Sequence, residues 1–481
     1  MQASAVARQR QLRSFVLAWL GITLLMGALT FAGIYYATGL VNNNGGGGGG
    51  DSDAGALPLV ELDGERSAGD EALPPAELDG ALTPTGAAVA ALPQAQAATP
   101  VPSPTPRGGV APARPVAPAQ ADEVSEEFQL GIQVQPNADP EVYKIWMGEV
   151  RDKLKLGWIK QQIRWEDIEP QPGQYDWGML DVTLDLAEEY GIKVMASVLA
   201  TPDWALEPGV VLGENEDGPP ADPQVFAGFL TQLLTRYKGK IHAVEVWNEM
   251  NLIREWKSAH GLNARNYVTL LQAARTAIKA VDPNIIVISG ALSPTGVNDG
   301  IGSYDDFVYM DMLIQAGVLN YADCVGAHHN GINIGPNVPW NNVPNDPTAV
   351  YRGPFDNPHH SWSFYSTLNG YAQKIQQAGS DKKLCITEFG WAVSEDLAGT
   401  PLNFEFARDN TLDEQAAFIG EAIELMDEWG FVWLAFIWNL NYGPQAGWDA
   451  TDNNVPYSLL RPEWRTSPAY DVIAEHNFRE Q

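Results

Sequence analysis

The chain has few cysteines and few basic residues for its length of 481 residues. Its two cysteines, Cys324 and Cys385, lack the clustered spacing of a metal site or of a disulfide framework. They fall on different predicted strands, and the alternation of side chains along a strand places Cys385 on the face opposite to Glu388. These features favour two buried free thiols.

The deficit of basic residues gives the chain a formal net charge of −31, from 60 acidic and 29 basic residues. Such a field repels phosphate backbones, so we expect no nucleic-acid partner, and it also disfavours polyanionic sugar chains. No glycine-rich phosphate-binding loop follows the first predicted strand. His328 and His329 are adjacent on one strand, so their side chains point to opposite faces and do not suit one metal ion. The sequence also offers no third ligand at a useful spacing from them. We therefore expect no metal, nucleotide or organic cofactor.

The N-terminal region predicts a membrane anchor. Residues 15–40 form a run without a charge, long enough to cross a bilayer, and Arg8, Arg10 and Arg13 precede it. The positive-inside rule then makes residues 1–14 a cytoplasmic tail and places the rest outside the membrane. A cleaved signal peptide is the alternative. Residues 41–125 are rich in Gly, Pro and Ala and predict a disordered linker.

The remaining part, residues 126–481, predicts a (β/α)8 barrel. Eight apolar, β-branched segments alternate with segments of helical periodicity, which indicates a parallel sheet covered by helices. A doubly wound open sheet is the alternative fold. The predicted strands are 128–135, 158–164, 193–199, 241–247, 285–292, 324–328, 384–387 and 432–438.

Two glutamates, Glu249 and Glu388, stand at the polar ends of the fourth and seventh predicted strands. In a (β/α)8 barrel the carboxyl ends of the strands form one mouth, so both carboxylates face it. Two carboxylates are the minimal set for cleaving a glycosidic bond, one as proton donor and one as nucleophile or base. The alternative is that each is an ordinary solvated glutamate after a strand.

Other polar and aromatic residues are expected at the same mouth as substrate-binding residues. We expect Arg164 to keep the nucleophile ionised and Asn248 to hydrogen-bond a sugar hydroxyl. The Trp438 ring would form an apolar platform for a pyranose. The alternatives are an Arg164 ion pair with Glu166 or Asp167 and a packing role for Trp438. Two further candidates at strand ends are Trp204 and His328.

Three sequence motifs carry a resemblance to a known family. They are RWEDIEPQPGQYDW at 164–177, TPDWA at 201–205 and VWNEMNLIREW at 246–256, and ITEFGW follows them. With these motifs the chain from about residue 128 onward resembles the clan A glycoside hydrolases, with local motifs similar to family 39 and cellulase-like (family 5-like) members. The resemblance implies a (β/α)8 barrel and a retaining mechanism, with Glu249 as general acid/base and Glu388 as nucleophile.

The chain departs from this family at two positions near the expected site. Met250 stands where relatives commonly have proline after the Asn-Glu pair. Asn330 stands where relatives often have a tyrosine close to the nucleophile. The hydrogen bond that this tyrosine gives the nucleophile is therefore not carried over, and we treat Asn330 as a candidate substrate-binding residue.

The sequence thus predicts a membrane-anchored retaining glycoside hydrolase of the cell surface that acts on a β-linked poly- or oligosaccharide. A transglycosylase would use the same residues. A non-catalytic glycan-binding protein or a structural envelope protein could use the same barrel, but has no reason to keep both carboxylates. The long segment 331–358 is expected to form the wall of the outer sugar sites. The pattern specifies neither an oligomeric state nor a particular sugar.

Overall fold

A computed structural model of the chain describes residues 126–476. The predicted cytoplasmic tail (1–14), membrane anchor (15–40) and linker (41–125) lie outside these residues and remain predictions. Within residues 126–476, no helix combines the length and the apolar character that a membrane crossing requires.

The described residues form a closed barrel of eight parallel strands, as the alternation of segments predicts. The strands are hydrogen-bonded in the order β5-β4-β3-β2-β1-β8-β7-β6. Isolated bridges from Ile288 to Cys324 and from Leu292 to Ala327 join β5 to β6 and close the barrel. The strands are β1 Gln129–Gln133, β2 Trp158–Arg164, β3 Lys193–Leu199, β4 Ala243–Val246, β5 Ile286–Ser289, β6 Val325–Gly331, β7 Leu384–Trp391 and β8 Val432–Ile437.

Longer α-helices surround the strands and alternate with them along the chain. They are α1 Pro140–Gly148, α2 Gly178–Glu189, α3 Pro223–Arg236, α4 Ala264–Val281, α5 Asp306–Ala316, α6 Phe364–Gln377, α7 Leu412–Trp429 and α8 Pro468–Glu475. Short helical turns cover Glu149–Lys153, Trp165–Ile168, Asp203–Ala205, Val318–Asn320, Gly353–Asp356, His360–Trp362, Glu405–Arg408, Tyr442–Gln445, Val455–Tyr457 and Pro462–Trp464. Leu460–Arg461 and Arg465–Thr466 form a small antiparallel ribbon.

Side-chain caps fix where several of these helices begin. The Asp222 side chain accepts a hydrogen bond from Gln224 N, and Pro223 follows it at the first helical position of α3. Thr411 and Glu414 form a reciprocal capping box at the start of α7. These local signals place the helices, and with them the loops at the mouth of the barrel.

The barrel interior is filled with side chains and changes character along its axis. Its amino-terminal part is an apolar cluster that includes Trp158, Ile288 and Phe436. At Gly131 of β1 a Cβ atom would lie 2.6 Å from the Phe436 ring, so the packing of the interior requires glycine there. The carboxyl-terminal part instead contains the buried side chains of Lys160, Glu245 and His328, which we call the polar layer.

Cys324 and Cys385 form a disulfide, so the prediction of two free thiols is wrong. Cys324 immediately precedes β6 and Cys385 lies in β7, and in this pair of neighbouring strands Val325 is opposite Leu384. The pairing brings the two Cα atoms to 5.9 Å, a usual separation for a disulfide. Because the bridge spans 61 residues of sequence, the chain-entropy model gives it a stabilisation of about 4 kcal/mol.

The prediction that Cys385 and Glu388 lie on opposite faces of β7 is also wrong. Cys385 packs in the apolar interior of the barrel, and the Glu388 carboxylate also reaches the interior, where it contacts Lys160. The register of β7 against β8 shifts between Ile386 and Phe389. This irregularity breaks the alternation of side chains on which the prediction rested.

Candidate active site

A cavity of about 790 Å³ opens at the carboxyl ends of the barrel strands. Both predicted catalytic carboxylates line it, Glu249 from the segment after β4 and Glu388 from β7. The cavity therefore brings together the two groups that the sequence places far apart along the chain. Four of the six predicted substrate-binding residues also line it: Arg164, Asn248, Asn330 and Trp438.

The Glu249 carboxylate contacts two side chains, a histidine and an arginine. Its Oε1 lies 3.0 Å from His328 Nδ1, and its Oε2 accepts a hydrogen bond of 2.8 Å from Arg254 Nη2. Burial acts to raise the pKa of Glu249, but the His328 hydrogen bond and the charges of His328 and Arg254 outweigh burial. The pKa falls to about 2, so the free site holds Glu249 as a carboxylate at neutral pH.

The Glu388 carboxylate lies between a lysine and an amide. Lys160 Nζ is 2.9 Å from Oε1, and Asn330 Nδ2 donates to Oε2 at 3.3 Å. Asn330 is thus a hydrogen-bond donor to Glu388, the expected nucleophile. Both contacts stabilise the negative charge that a nucleophilic carboxylate needs.

His328 connects the two glutamates. Its side chain is only 1% exposed, and Nδ1 lies 3.0 Å from Glu249 Oε1 and 3.7 Å from Glu388 Oε2. Burial acts to lower the pKa of His328, but the Glu388 charge and the Glu249 hydrogen bond raise it above its ordinary value. The sequence predicts His328 as a sugar-site residue, and the structure places it beneath the cavity as a link between the carboxylates.

Two charged residues of the polar layer, Lys160 and Glu245, were missed by the sequence analysis. Both side chains are fully buried, and Lys160 Nζ lies 3.7 Å from Glu245 Oε2 in addition to its contact with Glu388. Thr387 Oγ1 donates to Glu245 Oε1 at 2.6 Å. The sequence could have indicated Lys160, because side chains alternate between the faces of a strand and Lys160 therefore shares a face of β2 with Arg164.

Arg164 does not take the role that the sequence predicts for it. Its guanidinium contacts Glu166 Oε1 at 2.6 Å and Asp217 Oδ1 at 2.8 Å, at the rim of the cavity. Lys160 lies on the same face of β2, four residues deeper in the barrel, and forms the ion pair with Glu388 instead. Position along the strand therefore decides which cation contacts Glu388, whereas Arg164 pairs with carboxylates at the rim.

Asn248 is held in the cavity by a third carboxylate, Glu255. Asn248 Nδ2 donates to Glu255 Oε2 at 3.1 Å, and Arg254 Nε lies 3.3 Å from Glu255 Oε1. Burial and the charge of Glu249 raise the pKa of Glu255 to about 7, in spite of Arg254. Arg254 thus lies between two carboxyl groups, Glu249 with a lowered pKa and Glu255 with a raised pKa.

Comparisons with known proteins agree with this architecture. Residues 148–214 match the model of glycoside hydrolase family 42, described as beta-galactosidase. A stretch of 94 residues is 32% identical to a beta-1,4-xylanase of Dictyoglomus thermophilum and covers 19% of this chain and 24% of the xylanase. A family 39 glycoside hydrolase from Bacteroides cellulosilyticus superposes with a TM-score of 0.52 and 18% identity, over 73% of this chain and 63% of that one. The chain has a glycoside hydrolase fold.

The likeness to this fold extends over the barrel but only over part of the relatives' own length. A glucosidase from Croceicoccus marinus also superposes with a TM-score of 0.50, at 11% identity, over 73% of this chain and 67% of that chain. The chain spans 24% of the xylanase and 63% of the family 39 hydrolase. The sequence match at 148–214 includes β2 and β3 and ends before either glutamate, so the roles of Glu249 and Glu388 rest on geometry.

Aromatic residues of the glycoside hydrolase fold differ in their access to the cavity. Trp438 lines it, and its ring lies 5.2 Å from the Tyr442 ring and 5.6 Å from Lys160 Nζ. Trp204 does not line it. The Trp204 indole donates to the Glu169 carbonyl at 3.0 Å and borders a separate hollow beside Pro170.

The walls of the cavity come from different loops than expected. Residues of the segment after β3, between Asp203 and Asp217, form one wall, and residues between Phe404 and Tyr457 contribute to the other. The segment 331–358, expected as the outer wall, does not line the cavity. Backbone amides of Val350 and Tyr351 instead donate to the Asp409 carboxylate, which holds this segment against another loop.

Histidine and carboxylate side chains that converge on one point occur outside the cavity. Within residues 126–476, the group with this geometry consists of Asp305, His359 and His360. None of the three lines the cavity that contains Glu249 and Glu388.

Proposed function

We propose that this protein is a retaining glycoside hydrolase that cleaves β-glycosidic bonds of a poly- or oligosaccharide on the outer face of a membrane. The observation that carries the proposal is that Glu249 and Glu388 share one cavity and one histidine. The names of the relatives, among them a beta-1,4-xylanase, favour a β-linked glycan as the substrate.

Glu388 is the nucleophile of the proposed reaction. Lys160 and Asn330 stabilise its carboxylate in the free site. Its oxygen attacks the anomeric carbon, the glycosidic bond breaks, and the departing oxygen takes a proton. The product of this step is a glycosyl ester on Glu388. In the second step Glu249 removes a proton from water, the water oxygen attacks the same carbon, and Glu388 leaves as a carboxylate.

The proton for the first step is held by the pair His328 and Glu249. Beside His328 and Arg254 the pKa of Glu249 is about 2, so its carboxyl group is ionised at neutral pH. His328 has a raised pKa and lies within hydrogen-bond distance of Glu249, so the pair retains one proton. As the leaving oxygen becomes basic, that proton passes through Glu249 to it. After this transfer Glu249 is again a carboxylate, the form that the second step requires.

The nearest oxygens of the two carboxylates approach one common nitrogen, which favours the shorter spacing of a retaining enzyme. A single nitrogen, His328 Nδ1, lies 3.0 Å from an oxygen of Glu249 and 3.7 Å from an oxygen of Glu388. Contacts this short are incompatible with the wider part of the range used by inverting enzymes, about 6.5–9.5 Å. A transglycosylase would share this geometry and differ only in the acceptor.

The proposed location has support from two parts of the chain. Residues 15–40 carry the uncharged run that predicts an anchor, with arginines on its cytoplasmic side. Independently, the Cys324–Cys385 disulfide favours an oxidising compartment, because thiols are kept reduced in the cytosol.

The test is to incubate the purified full-length protein with aryl β-glycosides and with β-linked oligosaccharides, and to follow the anomeric protons by NMR. We expect turnover in which the β anomer of the product forms first and then mutarotates. Initial formation of the α anomer would reject the retaining mechanism. Binding of the oligosaccharides without turnover would favour the alternative of a glycan-binding protein.

Replacing His328 tests the source of the proton. In the wild type we expect kcat/KM to fall only above the ordinary histidine pKa of about 6.5, because the His328–Glu249 pair keeps its proton up to that pH. In His328→Gln, Glu249 must hold the proton alone, next to Arg254, so the basic limb of kcat/KM should move down by about one pH unit or more. The measurement is the pH profile of kcat/KM, with the exposed His260→Gln as the control. An unchanged basic limb in His328→Gln would contradict the relay.

A further inference from the structure

We propose that Asp305, His359 and His360 form a zinc site, separate from the catalytic cavity, that fixes the loops beside it. The three side chains come from two segments of the chain. Asp305 precedes α5, whereas His359 and His360 stand at the turn before α6. Their ligand atoms all lie within 4.8 Å of one another.

The distances match a shared cation. His359 Nε2 lies 3.3 Å from Asp305 Oδ2, and His360 Nε2 lies 3.7 Å from the same oxygen. Two imidazole nitrogens and one carboxylate oxygen are ligands that zinc prefers, and water can complete the tetrahedron. Calcium takes six to eight oxygen ligands, so this set does not suit it.

Neighbouring groups orient each of the three ligands. Asp305 Oδ1 accepts from Val308 N, which leaves Oδ2 to face the histidines. His359 Nδ1 lies 2.9 Å from Ser361 Oγ and accepts from Ser361 N at 3.3 Å, and these two contacts hold the ring with Nε2 towards Asp305. The His360 ring stacks on Phe307 at 3.6 Å between centroids, which fixes its plane.

The local charges also point to a cation. Asp306, next to Asp305, is fully buried, and its Oδ1 lies 3.2 Å from His360 Nε2. In the described part of the chain, the ion-pair partners of both aspartates are His359 and His360, without a lysine or arginine. A tyrosine hydroxyl and a backbone amide also donate to Asp306, but both donors are neutral. Two buried, adjacent carboxylates are costly unless positive charge compensates them, and a divalent cation supplies it.

The alternative is that the two histidines only donate hydrogen bonds to the aspartates. In that arrangement both Nε2 atoms carry protons, and the cluster has no affinity for zinc. The two arrangements differ in zinc stoichiometry and in thermal stability, so both can be measured without reference to glycoside hydrolysis. Failure of the proposed glycosidase activity would therefore leave this test unaffected.

The experiment uses full-length protein that has been stripped with a chelator and then dialysed against Zn²⁺ or, separately, Ca²⁺. We expect one zinc per chain by elemental analysis and no retained calcium. At a zinc concentration of about 100 times Kd, Tm should rise by about 5 °C. Wild-type protein that retains no zinc and shows no rise in Tm would overturn the proposal.

Variants locate the site. We expect Asp305→Asn and His359→Ala to weaken zinc binding by about 100-fold or more, since even outer-shell changes cost about 10–100-fold. The exposed histidine variant His260→Ala is the matched control and should bind zinc as the wild type does. Asp305→Asn preserves the shape of the side chain, so it reports on the ligand even if an alanine variant unfolds. Zinc retained unchanged by both ligand variants would show an adventitious site and reject the assignment.

Discussion

Replacement of Glu388 by alanine is expected to lower kcat by about 10⁴-fold or more on every β-glycoside that the wild type cleaves. The carboxylate that Lys160 and Asn330 stabilise would be gone, so the glycosyl ester on Glu388 could not form. The measurement is the rate of aryl glycoside hydrolysis by the full-length protein. Glu424→Ala, on the exposed face of α7, is the matched control and should retain wild-type activity.

Azide distinguishes the roles of the two glutamates in the same assay. In Glu249→Ala the glycosyl ester on Glu388 still forms with a good leaving group, and azide needs no base to attack it. We therefore expect azide to restore turnover and to give a β-glycosyl azide. In Glu388→Ala azide can only replace the nucleophile itself and should give the α product. Exchange of these two products would mean that the roles are reversed.

Replacement of Lys160 by methionine is expected to affect stability and activity together. The Lys160 ammonium is fully buried between Glu388 and Glu245, so the variant leaves two buried carboxylates without their cation. Removing one partner of a buried ion pair costs about 3–5 kcal/mol of unfolding free energy. The negative charge of Glu388 would also lose the ammonium that stabilises it, so kcat/KM should fall by about 10²–10³-fold near neutral pH. Denaturant unfolding and steady-state kinetics measure the two effects.

A double-mutant cycle with Glu245→Gln isolates the contribution of the buried pair. In the double variant, position 245 carries a neutral amide and no longer an unpaired carboxylate. The loss of unfolding free energy should therefore be smaller than the sum of the two single losses by about 1–3 kcal/mol. Additive losses would contradict a direct interaction between Lys160 and Glu245. An unfolding free energy of Lys160→Met within about 1 kcal/mol of the wild type would contradict the charge balance of the polar layer.

The fold and the two glutamates could be predicted from the sequence because both depend on local pattern. Apolar strands alternate with helical periodicity over the whole of residues 126–476, and each strand is observed where that pattern places it. The carboxyl ends of parallel strands meet at one mouth, so Glu249 and Glu388 had to approach each other once the barrel was established. Both conclusions needed only the order of segments along the chain.

The contacts inside the barrel could not be predicted because they depend on depth and register. Arg164 and Lys160 share a face of β2, and only the height of each along the barrel axis decides which one meets Glu388. The register shift in β7 brings Cys385 and Glu388 to the same side, against simple alternation. Irregularities of this kind arise from packing between neighbouring strands and leave no periodic signal in the sequence.

The junction between β5 and β6, where the barrel closes, is expected to unfold locally more easily than the other strand pairs. The other neighbouring strands are joined by ladders of at least three residue pairs, whereas isolated bridges join β5 to β6. A seam with few backbone hydrogen bonds opens at a lower free energy than the rest of a structure. Asp305 follows β5, and His359 and His360 follow β6, so a cation held by them links the segments that follow these two strands. In the protein without zinc, we expect amides along the seam to exchange with deuterium sooner than those of β2 and β3. Once zinc is bound, the same amides should exchange more slowly than they do without it.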